Sequence, residues 1–570
     1  MQLTMIYRSC LQTLRFHSKC YLSFMHTPIK RQYSEFVPLE ETEGIKTWLK
    51  PEGYNTGIRV ANGYEYFGKH PSKTLCPLIV KDPQNITWYS CGPTVYDDTH
   101  IGHACTYVRL DAIRRVLTNF FGFDVKMVMG ITDVDDKLII RSQLLNKEMQ
   151  AMAQHYEILF QRDMCLLNVL PPHQYVRVSE IIPHIISFID KLIKDGHAYA
   201  TPKGDVWFNT NKFTDVGRLS RMYEEFEMQE NPWVAKSQQT RSKRDFALWK
   251  AAKPSEPYWD APWGKGRPGW HVECSTIGTL AFGSQIDIHS GGRDLCFPHH
   301  ECELLQSEAY HGCDQWVNYF LHTGPLVLKG DTSKMSKSFG NTILVSDFLQ
   351  KHSSDLFRYL ALSTSYQMDL TYTEFDIYRI GKQIRRSCNI LSKCHNYINK
   401  GGNYNINTAL ITEKTNLMET GFIRLLQKNF RIPVILSILR HVEYLLEESL
   451  TDVEDTDVQY PSEVGCIQRA TSFIEDVYQK LGFVHMNGRT RQVDGQTHQI
   501  IKVNLDFRRN VRNFAKEMLK SGNQEQKTKA MELLSESDKM RSSLNKLGVT
   551  VKDDYHETIW TYTEKDFRAY

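Results

Sequence analysis

Residues 89–115 read YSCGPTVYDDTHIGHACTYVRLDAIRR, and this stretch decides the fold. A strand-like run at residues 86–90 leads into a Cys-Gly-Pro turn, and apolar residues recur at helical spacing after His103. A second apolar run follows at residues 125–129. A strand, a loop, a helix and a strand within about 45 residues predict a βαβ unit, and therefore a parallel sheet.

The rest of the chain extends this α/β pattern and then becomes helical. Strands are predicted at residues 285–289 and 319–328, and a mixed insertion at residues 150–255 contains a hairpin-like piece at residues 204–208. From Ser354 onward, apolar residues recur mostly at helical spacing. The predicted fold is a Rossmann-like nucleotide-binding domain with a parallel sheet, an inserted subdomain and a mainly α-helical C-terminal half.

Composition indicates a soluble globular protein. The 570 residues are 41% hydrophobic and 24% charged, and no apolar stretch approaches the ~20 residues that a membrane helix needs. Thirteen cysteines are scattered without paired spacing, so reduced thiols are expected rather than a secreted disulfide framework. A net charge of +3 neither demands nor excludes a nucleic-acid partner, because a basic face can lie within a neutral total.

The first 34 residues form a basic leader. They contain Ser and Thr, no Asp or Glu, and five basic residues, which are Arg8, Arg15, Lys19, Lys30 and Arg31. Such a leader is typical of an organellar transit peptide, and residues 31–34 resemble a mitochondrial processing site with cleavage after Tyr33. A disordered basic tail is the alternative, and a secretory signal fits less well because no continuous apolar core follows the first charge. Residues 34–75, rich in Gly, Pro and polar residues, are predicted to be an irregular lead-in.

The four residues HIGH, from His100 to His103, lie at the predicted start of the first helix. Two imidazoles three positions apart lie on one side of the first turn, beside unsatisfied N–H groups that attract phosphate. Gly102 leaves room for a nucleotide to approach the backbone. The turn is a candidate phosphate site, with capping or structural histidines as the alternative.

A second candidate phosphate-binding element is a polar loop flanked by glycines, with the sequence Lys334-Met335-Ser336-Lys337-Ser338. Its two lysines can neutralise charge that develops at the α-phosphate of a nucleotide, whereas an isolated loop of this kind would be read as a basic surface loop. The histidine turn follows the first strand and the lysine loop follows the last. Both are therefore predicted at the carboxyl edge of one sheet, where ligands bind.

His299 and Glu303 lie four residues apart in the segment PHHECELL, whose proline is well placed to open a helix. This spacing puts the two side chains on one helical face, where they form either a metal-ligand pair or a simple polar face. Cys91 and Cys274 can supply two thiolates. Two sulfurs, an imidazole and a carboxylate suit tetrahedral zinc better than a hard cation.

Other residues near these motifs leave alternatives open. His300 or Glu301 could take the place of the histidine or the glutamate of the pair. Cys296 and Cys302 are predicted to be ordinary buried or partly exposed thiols rather than ligands. Part of an acidic cluster is expected to bind a substrate ammonium group or to hold its loop, and part to be solvated; the cluster consists of Asp133, Asp135 and Asp136.

Together these motifs resemble those of one enzyme family. HIGH and KMSKS on such a sheet are similar to the signatures of class I aminoacyl-tRNA synthetases. The longer strings CGPTVYDDTHIGHA, ITDVDDK, DFALWK, GRPGWHVECS, DIHSGGRDLCFPHHECE and KMSKSFGN resemble cysteinyl-tRNA synthetases in particular, in order from Thr56 to Trp560. One departure is Cys105, where many relatives carry arginine, so no role is inferred for that position. The basic leader indicates a mitochondrial member.

The resemblance implies a set of site residues. One zinc ion would be held by Cys91, Cys274, His299 and Glu303. The amino acid would contact Gly92, Thr132, Trp270, His289 and His299, although Trp270 could instead be a core residue. Catalysis would use His100, His103, Lys334 and Lys337, and ATP bound with Mg²⁺ would also contact Gly102, Met335, Ser336 and Ser338.

The implied reaction has two steps. The carboxylate of cysteine attacks the α-phosphate of ATP to give cysteinyl-adenylate, and the terminal ribose of tRNA(Cys) then accepts the cysteinyl group. Serine has the same shape as cysteine, so a pocket alone discriminates weakly between them. Zinc favours a thiolate over an alcohol, so the substrate sulfur is expected to become an additional ligand, with five-coordination or a loosened Glu303. An editing domain is then unnecessary, and Cys91 is a ligand rather than a nucleophile.

The resemblance also implies a domain order: a presequence (1–33), a lead-in (34–75), a catalytic domain (76–345), a stem-contact region (346–380), a helical anticodon-binding domain (381–500) and a C-terminal region (501–570). A monomer in the mitochondrial matrix, without a membrane partner, is expected. Some members also make cysteine persulfide with pyridoxal phosphate, and residues 137–141 and the lysine loop resemble the regions involved.

Two other functions are the alternatives: a cysteine ligase for small amines and a catalytically silent tRNA-binding protein. The long helical half argues against the first, and the intact motifs argue against the second.

Overall fold

The computed structural model describes residues 48–65, 75–214, 216–219, 240–254, 256–328, 342–401, 406–450, 461–486, 495–521, 523–546, 549–553 and 558–562. The chain divides into two units, Met1–Ile45 and Lys46–Tyr570, and all of the described residues belong to the second.

The strands of the described residues are β1 (Tyr54–Val60), β2 (Cys76–Val80), β3 (Ile86–Thr94), β4 (Val125–Thr132), β5 (Gln174–Arg177), β6 (Ala198–Ala200), β7 (Val206–Phe208), β8 (Ala247–Ala251), β9 (Gly266–Pro268), β10 (Ile286–Gly292), β11 (Val317–Thr323), β12 (Leu326–Leu328), β13 (Leu370–Tyr372), β14 (Val549–Asp553) and β15 (Thr558–Tyr562). Their α-helices are α1 (Ile101–Arg115), α2 (Asp136–Leu145), α3 (Met149–Leu166), α4 (Ile182–Lys194), α5 (Trp270–Phe282), α6 (Glu301–His311), α7 (Val345–Lys351), α8 (Ser354–Leu362), α9 (Glu374–Lys400), α10 (Thr408–Leu426), α11 (Ile432–Ser449), α12 (Pro461–Lys480), α13 (Gly495–Ser521) and α14 (Gln524–Lys546).

A five-stranded parallel sheet, with the strand order β11-β10-β3-β4-β5, lies at the centre of the first half. β3, α1 and β4 form the βαβ unit predicted from residues 86–129, so that prediction is confirmed. The strands predicted at residues 285–289 and 319–328 correspond to β10 and to β11 with β12. Trp88, Ile288 and Tyr319 are fully buried, because the sheet is covered on both faces.

The chain between β5 and β10 forms a second, antiparallel sheet with the order β6-β7-β8-β9. β6 and β7 are the hairpin predicted around residues 204–208, and the sheet continues past residue 255 to Pro268. Its last strand leads directly into α5 through Gly269. A Cβ at Gly269 would lie 2.0 Å from the carbonyl oxygen of Ala247, so only glycine fits this connection. The second sheet is thereby fixed to the start of α5.

Three pairs of strands include segments that the sequence did not predict as strands. One of these segments is β13, which lies in the half expected to be helical and pairs parallel with β12. β1 lies in the lead-in expected to be irregular and pairs antiparallel with β2, while β14 pairs with β15 inside the half expected to be helical. Thr56, Ile58 and Val60 of β1 are buried in alternation, while Gly57 has φ +75° and the pairing register shifts between Asn55 and Arg59. β14 and β15 contain the β-branched and aromatic residues that favour strands, so their composition was the feature of the sequence that indicated strands here.

The rest of the second half is helical, as predicted, from α7 to α14. α11 shows why: its buried residues Ile435, Leu439, Val442 and Leu446 recur every three or four positions. These residues belong to the same apolar cluster as Trp88 of the parallel sheet, so the two halves share one core. No helix among the described residues is long and apolar enough to cross a membrane.

Candidate active site

Cys91 lies near the carboxyl end of β3, at the sheet edge where the neighbouring parallel strands also end. It pairs in register with Gly130 of β4, and His289 of β10 pairs two residues earlier on β3. Parallel strands point to one edge, so three strands deliver their last residues to the same place. α5 and α6 pack against this edge and add Cys274 and Glu303.

The four side chains predicted to hold a metal ion meet at this edge, and all four are buried. One donor atom from each of Cys91, Cys274, His299 and Glu303 lies within 4.8 Å of the others. Cys91 Sγ is 3.8 Å from Cys274 Sγ and 3.7 Å from Glu303 Oε1. His299 Nε2 lies 3.0 Å from the same carboxylate oxygen, as the four-residue spacing predicted.

Charges within this group are strongly coupled. Burial alone would raise the pKa of the Glu303 carboxyl, but the imidazoles of His289 and His299 lower it to about 2. Burial would likewise lower the pKa of His299, but Glu303 and Cys274 raise it to about 10. The hydrogen bond from Cys91 lowers the pKa of Cys274 to about 6, while burial raises the pKa of the Cys91 thiol. A carboxylate and a readily ionised thiol therefore lie together in a buried space.

A second set of donors overlaps the first and contains Cys91, His289, His300 and Glu303. His300 Nε2 lies 3.4 Å from Cys91 Sγ, and His289 Nε2 lies 2.9 Å from Glu303 Oε2. The alternative in which His300 takes the place of His299 as a ligand is therefore geometrically available. The two sets share one thiol and one carboxylate, so they describe a single site rather than two.

Two histidines that sequence reasoning missed contact the outer nitrogens of these rings. His271 Nδ1 lies 3.0 Å from His299 Nδ1, and His322 Nε2 lies 2.8 Å from His300 Nδ1. Burial holds the pKa of His271 and of His322 below the ordinary value, the latter at about 3, so both are neutral at pH 7. Each fixes which nitrogen of its neighbour faces the site. Their only sequence signal was a histidine within an otherwise apolar segment.

Glu301, the other carboxylate considered as a ligand, has a different role. Its oxygens accept hydrogen bonds from the backbone N–H groups of Gly217, Arg218 and Leu219, at 2.8 to 3.1 Å. Phe297, at φ −140° and ψ 134°, is extended, and the helical backbone that continues into α6 starts at Pro298, as the sequence predicted. Glu301 thus anchors the segment 217–219 to the start of α6, which removes it from the candidate ligands.

The two other cysteines near the site are not donors in either set. Cys296 Sγ lies 3.5 Å from the carbonyl oxygen of Leu219. Cys302 is buried on α6, and burial raises its pKa well above the ordinary value. Both have the surroundings of an ordinary buried thiol.

The residues predicted to contact the amino acid surround this group. Trp270, the first residue of α5, stacks on His299 with the ring centroids 4.2 Å apart and the planes at 22°. Thr132 ends β4, opposite Thr94 of β3. A Cβ at Gly92 would lie 2.0 Å from the carbonyl oxygen of Gly130, so no side chain fits there. His289 is fully buried behind Glu303, which makes it a neighbour of the carboxylate.

The histidine turn lies at the start of α1, where the sequence predicted it. His100 is the N-cap residue, and its Nδ1 accepts a hydrogen bond from the backbone N–H of His103 at 3.4 Å. The two rings lie close together, with their centroids 3.8 Å apart and their planes tilted by 31°. The backbone of the turn bonds to the chain after the lysine loop, from Ile101 N to Ile343 O and from Val345 N to Thr99 O, both at 2.9 Å.

The lysine loop itself, with Lys334, Met335, Ser336, Lys337 and Ser338, lies outside the described residues. The described chain ends at Leu328 before it and resumes at Thr342 after it. Residues 343–345, which follow the lysine loop in the sequence, bond to the histidine turn.

The acidic cluster of the ITDVDDK segment is occupied by protein partners. Asp133 accepts hydrogen bonds from the backbone and the hydroxyl of Ser179. Asp135 caps α2 by accepting the N–H of Lys137 at 2.8 Å. Asp136 forms ion pairs with Lys250, at 2.7 Å, and with Arg267. Asp136 thereby links α2 to the second sheet. The cluster holds its loop, as one of the two expectations had it.

Comparison with known proteins identifies the family. The family model described as "tRNA synthetases class I (C) catalytic domain" matches residues 78–382. A protein of Xenopus tropicalis named "Probable cysteine--tRNA ligase, mitochondrial" is 38% identical over 543 residues, which cover 91% of this chain and 92% of the relative. The chain belongs to the cysteine–tRNA ligase family.

Other cysteine–tRNA ligases are similar along most of their length. That of Methanococcus maripaludis strain C7 is 35% identical over 475 residues, covering 83% of this chain and 94% of the relative. Among solved structures, methionyl-tRNA synthetase of Mycobacterium tuberculosis has a TM-score of 0.54 at 14% identity, covering 70% of this chain and 92% of that one. This last likeness concerns the fold, and it agrees with the predicted α/β class.

The donor set in this cysteine–tRNA ligase fold fits a transition-metal ion. Two sulfurs, an imidazole nitrogen and a carboxylate oxygen are ligands of borderline cations, whereas Mg²⁺ and Ca²⁺ prefer oxygen alone. The low pKa of Cys274 and of Glu303 supplies two anionic donors at neutral pH. His271 and His299 share a hydrogen bond that orients the ligand ring, as is usual around bound metals.

We predict that Cys274→Ser loses the metal ion and that Cys302→Ser keeps it. Both thiols are buried near the same site, but only Cys274 belongs to a donor set. Purified wild type and Cys302→Ser should contain about one transition-metal ion per chain, and Cys274→Ser less than about one tenth of that, because ligand loss weakens binding strongly. Mass spectrometry of the metal content measures this. An undiminished content in Cys274→Ser would contradict the assignment.

Proposed function

We propose that this chain ligates L-cysteine to tRNA(Cys) at the expense of ATP, through a cysteinyl-adenylate. The observation that carries the proposal is the buried group of Cys91, Cys274, His299 and Glu303 beside the histidine turn. Family membership and the relatives named cysteine–tRNA ligase support the same reaction. A cysteine ligase that acts on a small amine would need the same site but not the helical half.

We propose zinc as the resident ion, held by Cys91, Cys274, His299 and Glu303. Zinc is redox-inert and prefers sulfur and imidazole donors in this proportion. When bound, it would favour a thiolate over an alcohol, which is the one chemical difference between cysteine and serine. The second donor set, in which His300 replaces His299, is the alternative arrangement.

The side chains around the group would fix the amino acid. Trp270 is stacked on His299, and its ring is therefore held in one orientation beside the donors. Gly92 lets strands β3 and β4 lie close together, because a Cβ at this position would collide with the carbonyl oxygen of Gly130. Thr132 ends the neighbouring strand and offers a hydroxyl for the amine or carboxylate of the substrate. His289, bonded to Glu303, would position that carboxylate rather than touch the amino acid.

The nucleotide would bind at the start of α1 as Mg-ATP. The N-terminus of a helix carries partial positive charge that attracts phosphate, and the side chains of His100 and His103 lie on that turn. Lys334 and Lys337 would stabilise the charge that develops on the α-phosphate as the cysteine carboxylate attacks it. The bonds from residues 343–345 to the turn support a common phosphate site for both elements. The 3′-terminal ribose hydroxyl of the tRNA then attacks the adenylate carbonyl, and AMP leaves.

An exposed face of α13 supports tRNA as the partner. Ile500, Val503, Phe507 and Phe514 are 61%, 67%, 65% and 59% exposed and lie three, four and seven positions apart, along one line of the helix. Aromatic rings on such a face can stack on unpaired bases of an RNA loop, and each stacked base contributes about 1–3 kcal/mol.

The same helix is basic where it faces solvent. Lys502, Lys516 and Lys520 are exposed, and they can contact the phosphates that flank stacked bases. The opposite side of α13, with buried Ile501 and Leu505, packs towards α14 and β15. Within the described part of α13 and α14, the contacts between the helices come from this buried side and leave the exposed aromatic and basic residues facing solvent.

We place the reaction in mitochondria as part of the same proposal. The frog relative is named as mitochondrial, and residues 1–33 have the composition of a transit peptide. Uptake of the full chain, but not of a chain starting at Ser34, by isolated mitochondria tests this. The matrix location, the monomeric state and the secondary persulfide activity with pyridoxal phosphate at residues 137–141 stay predictions from the sequence.

We expect cysteine-dependent exchange of pyrophosphate into ATP by the purified chain, and essentially none with serine. A transcript of tRNA(Cys) should then be charged with cysteine, whereas a small-amine ligase would show exchange without charging. In Cys274→Ser the preference for cysteine should collapse together with the metal, while Cys302→Ser should behave as wild type. Equal pyrophosphate exchange with serine and with cysteine in the wild-type chain would contradict the proposal.

We predict that replacing both Phe507 and Phe514 with Ala raises the KM for tRNA by about ten-fold or more, because two stacking platforms are lost. Cysteine-dependent pyrophosphate exchange should not change, since it does not involve tRNA. Ile158→Ala, at a side chain on α3 that is 58% exposed, is the control and should leave both activities unchanged. An unchanged KM in the double variant would exclude this face of α13 from tRNA binding.

A further inference from the structure

A buried ionic cluster lies at the C-terminal end of α1, the helix that begins at the histidine turn. Asp111 Oδ2 accepts hydrogen bonds from Arg115 Nε at 2.8 Å and from an Arg358 guanidinium nitrogen at 2.6 Å. The Asp111 and Arg358 side chains are each 1% exposed. The other Asp111 oxygen accepts the backbone N–H of Leu170 at 2.9 Å. The charges are therefore fully satisfied away from water.

Arg358 connects three separate parts of the chain to this point. One of its terminal nitrogens donates to Asp111 and to the carbonyl oxygen of Leu481, at 2.6 and 3.1 Å. The other donates to the carbonyl oxygens of Leu167 and Asn168, at 3.0 and 2.7 Å. One guanidinium thus binds the end of α1, the turn after α3 and the turn after α12.

The turn after α12 is held from several sides. Asn168 Nδ2 donates to the carbonyl oxygen of Gly482 at 2.7 Å, and Asp355 accepts the N–H groups of Val484 and His485 at 2.8 and 2.7 Å. Gly482 has φ +87°, and a Cβ there would lie 2.7 Å from Arg115 Nε. This turn is therefore fitted closely against the end of α1.

These contacts connect α1, which begins at the histidine turn, to α12 of the helical half. α1 is a 15-residue helix about 22 Å long, and Asp111 lies about 15 Å along it from its first residue, Ile101. α12 belongs to the helical half, which the proposed function assigns to tRNA. The ion pair of Arg358 and Asp111 is therefore one of the contacts that orient that half relative to the nucleotide turn, beside the apolar core that the two halves share.

We propose that Asp111 and Arg358 are positioning residues for the second step of the reaction, a proposal that rests on the proposed function. They fix the helical half on α1, so that a tRNA bound there presents its 3′ end to the adenylate. A displacement of about 1 Å at a reacting centre can cost 100-fold in rate. The first step takes place within the parallel sheet and does not depend on this orientation.

Buried charges at this place are better explained by orientation than by stability. An apolar pair of similar volume often stabilises a buried site as well as an ion pair does, whereas it fixes no direction. A guanidinium with four acceptors on three segments fixes all three at once. The double variant Asp111→Leu/Arg358→Met therefore removes this link and puts apolar side chains in both places, and Arg115 loses its Asp111 partner and keeps its bond to the carbonyl oxygen of Asn168.

The test compares that double variant, in the full-length chain, with wild type and with Glu443→Gln. Glu443 is the control because it is equally buried in the helical half, bonded to Ser387 and Tyr478, and does not touch α1. We expect cysteine-dependent exchange within about two-fold of wild type in both variants. The kcat for tRNA charging should fall about ten-fold or more in the double variant alone, with an unchanged KM for tRNA.

Equal losses of exchange and charging in the double variant, or no loss of charging, would overturn the positioning role. If that variant does not fold, Arg358→Lys serves instead, because lysine keeps the charge beside Asp111 but cannot bind four acceptors; the same split between exchange and charging is expected. A wild-type chain without cysteine-dependent exchange would refute the proposed function, which is a separate outcome.

Discussion

The parallel pairing of β3 with β10 and β4 is the constraint on which the rest of the site depends. Strand direction delivers Cys91 and His289 to one edge of the sheet, and the chain leaving β3 turns there into α1. The positions of the metal group and of the histidine turn therefore both depend on the connection between β3 and α1. A reversed strand would carry either of them to the opposite edge.

Burial imposes the second constraint, because charged groups removed from water must satisfy one another. At the sheet edge, Glu303 is held between His289 and His299, and the thiols of Cys91 and Cys274 face each other. The cluster at the end of α1 follows the same rule with a different outcome. There two guanidinium groups share one carboxylate and several carbonyl oxygens and hold segments together, whereas at the edge the donors converge on one point and can bind an ion.

Local patterns in the sequence were sufficient for the βαβ unit, the histidine turn and the pair His299 and Glu303, since each depends on spacings of a few residues. Cys91 and Cys274 lie 183 positions apart, so no local pattern joins them, and the family resemblance made the link. Glu301 and Glu303 look alike in the sequence. Only the folded chain separates them, because segment 217–219 takes the first and the two histidines take the second.

Other features depended on contacts that no spacing encodes. Asp111 and Arg358 are 247 positions apart. In the sequence each looks like an ordinary charged residue on the surface of a helix, but both are buried in the folded chain. His271 and His322 likewise gain their roles from neighbours on other elements. In the lead-in, the alternation of β1 covers only Thr56, Ile58 and Val60, and Thr56 is polar, so the local pattern was too short to reveal the strand.

The central claim is that the buried sulfur, nitrogen and oxygen donors hold an ion that recognises the sulfur of the substrate. X-ray absorption at the zinc edge of the wild-type chain measures this directly. The account predicts two sulfur ligands without substrate, three after addition of cysteine, and still two after addition of serine. A sulfur count that stays at two with cysteine would contradict it.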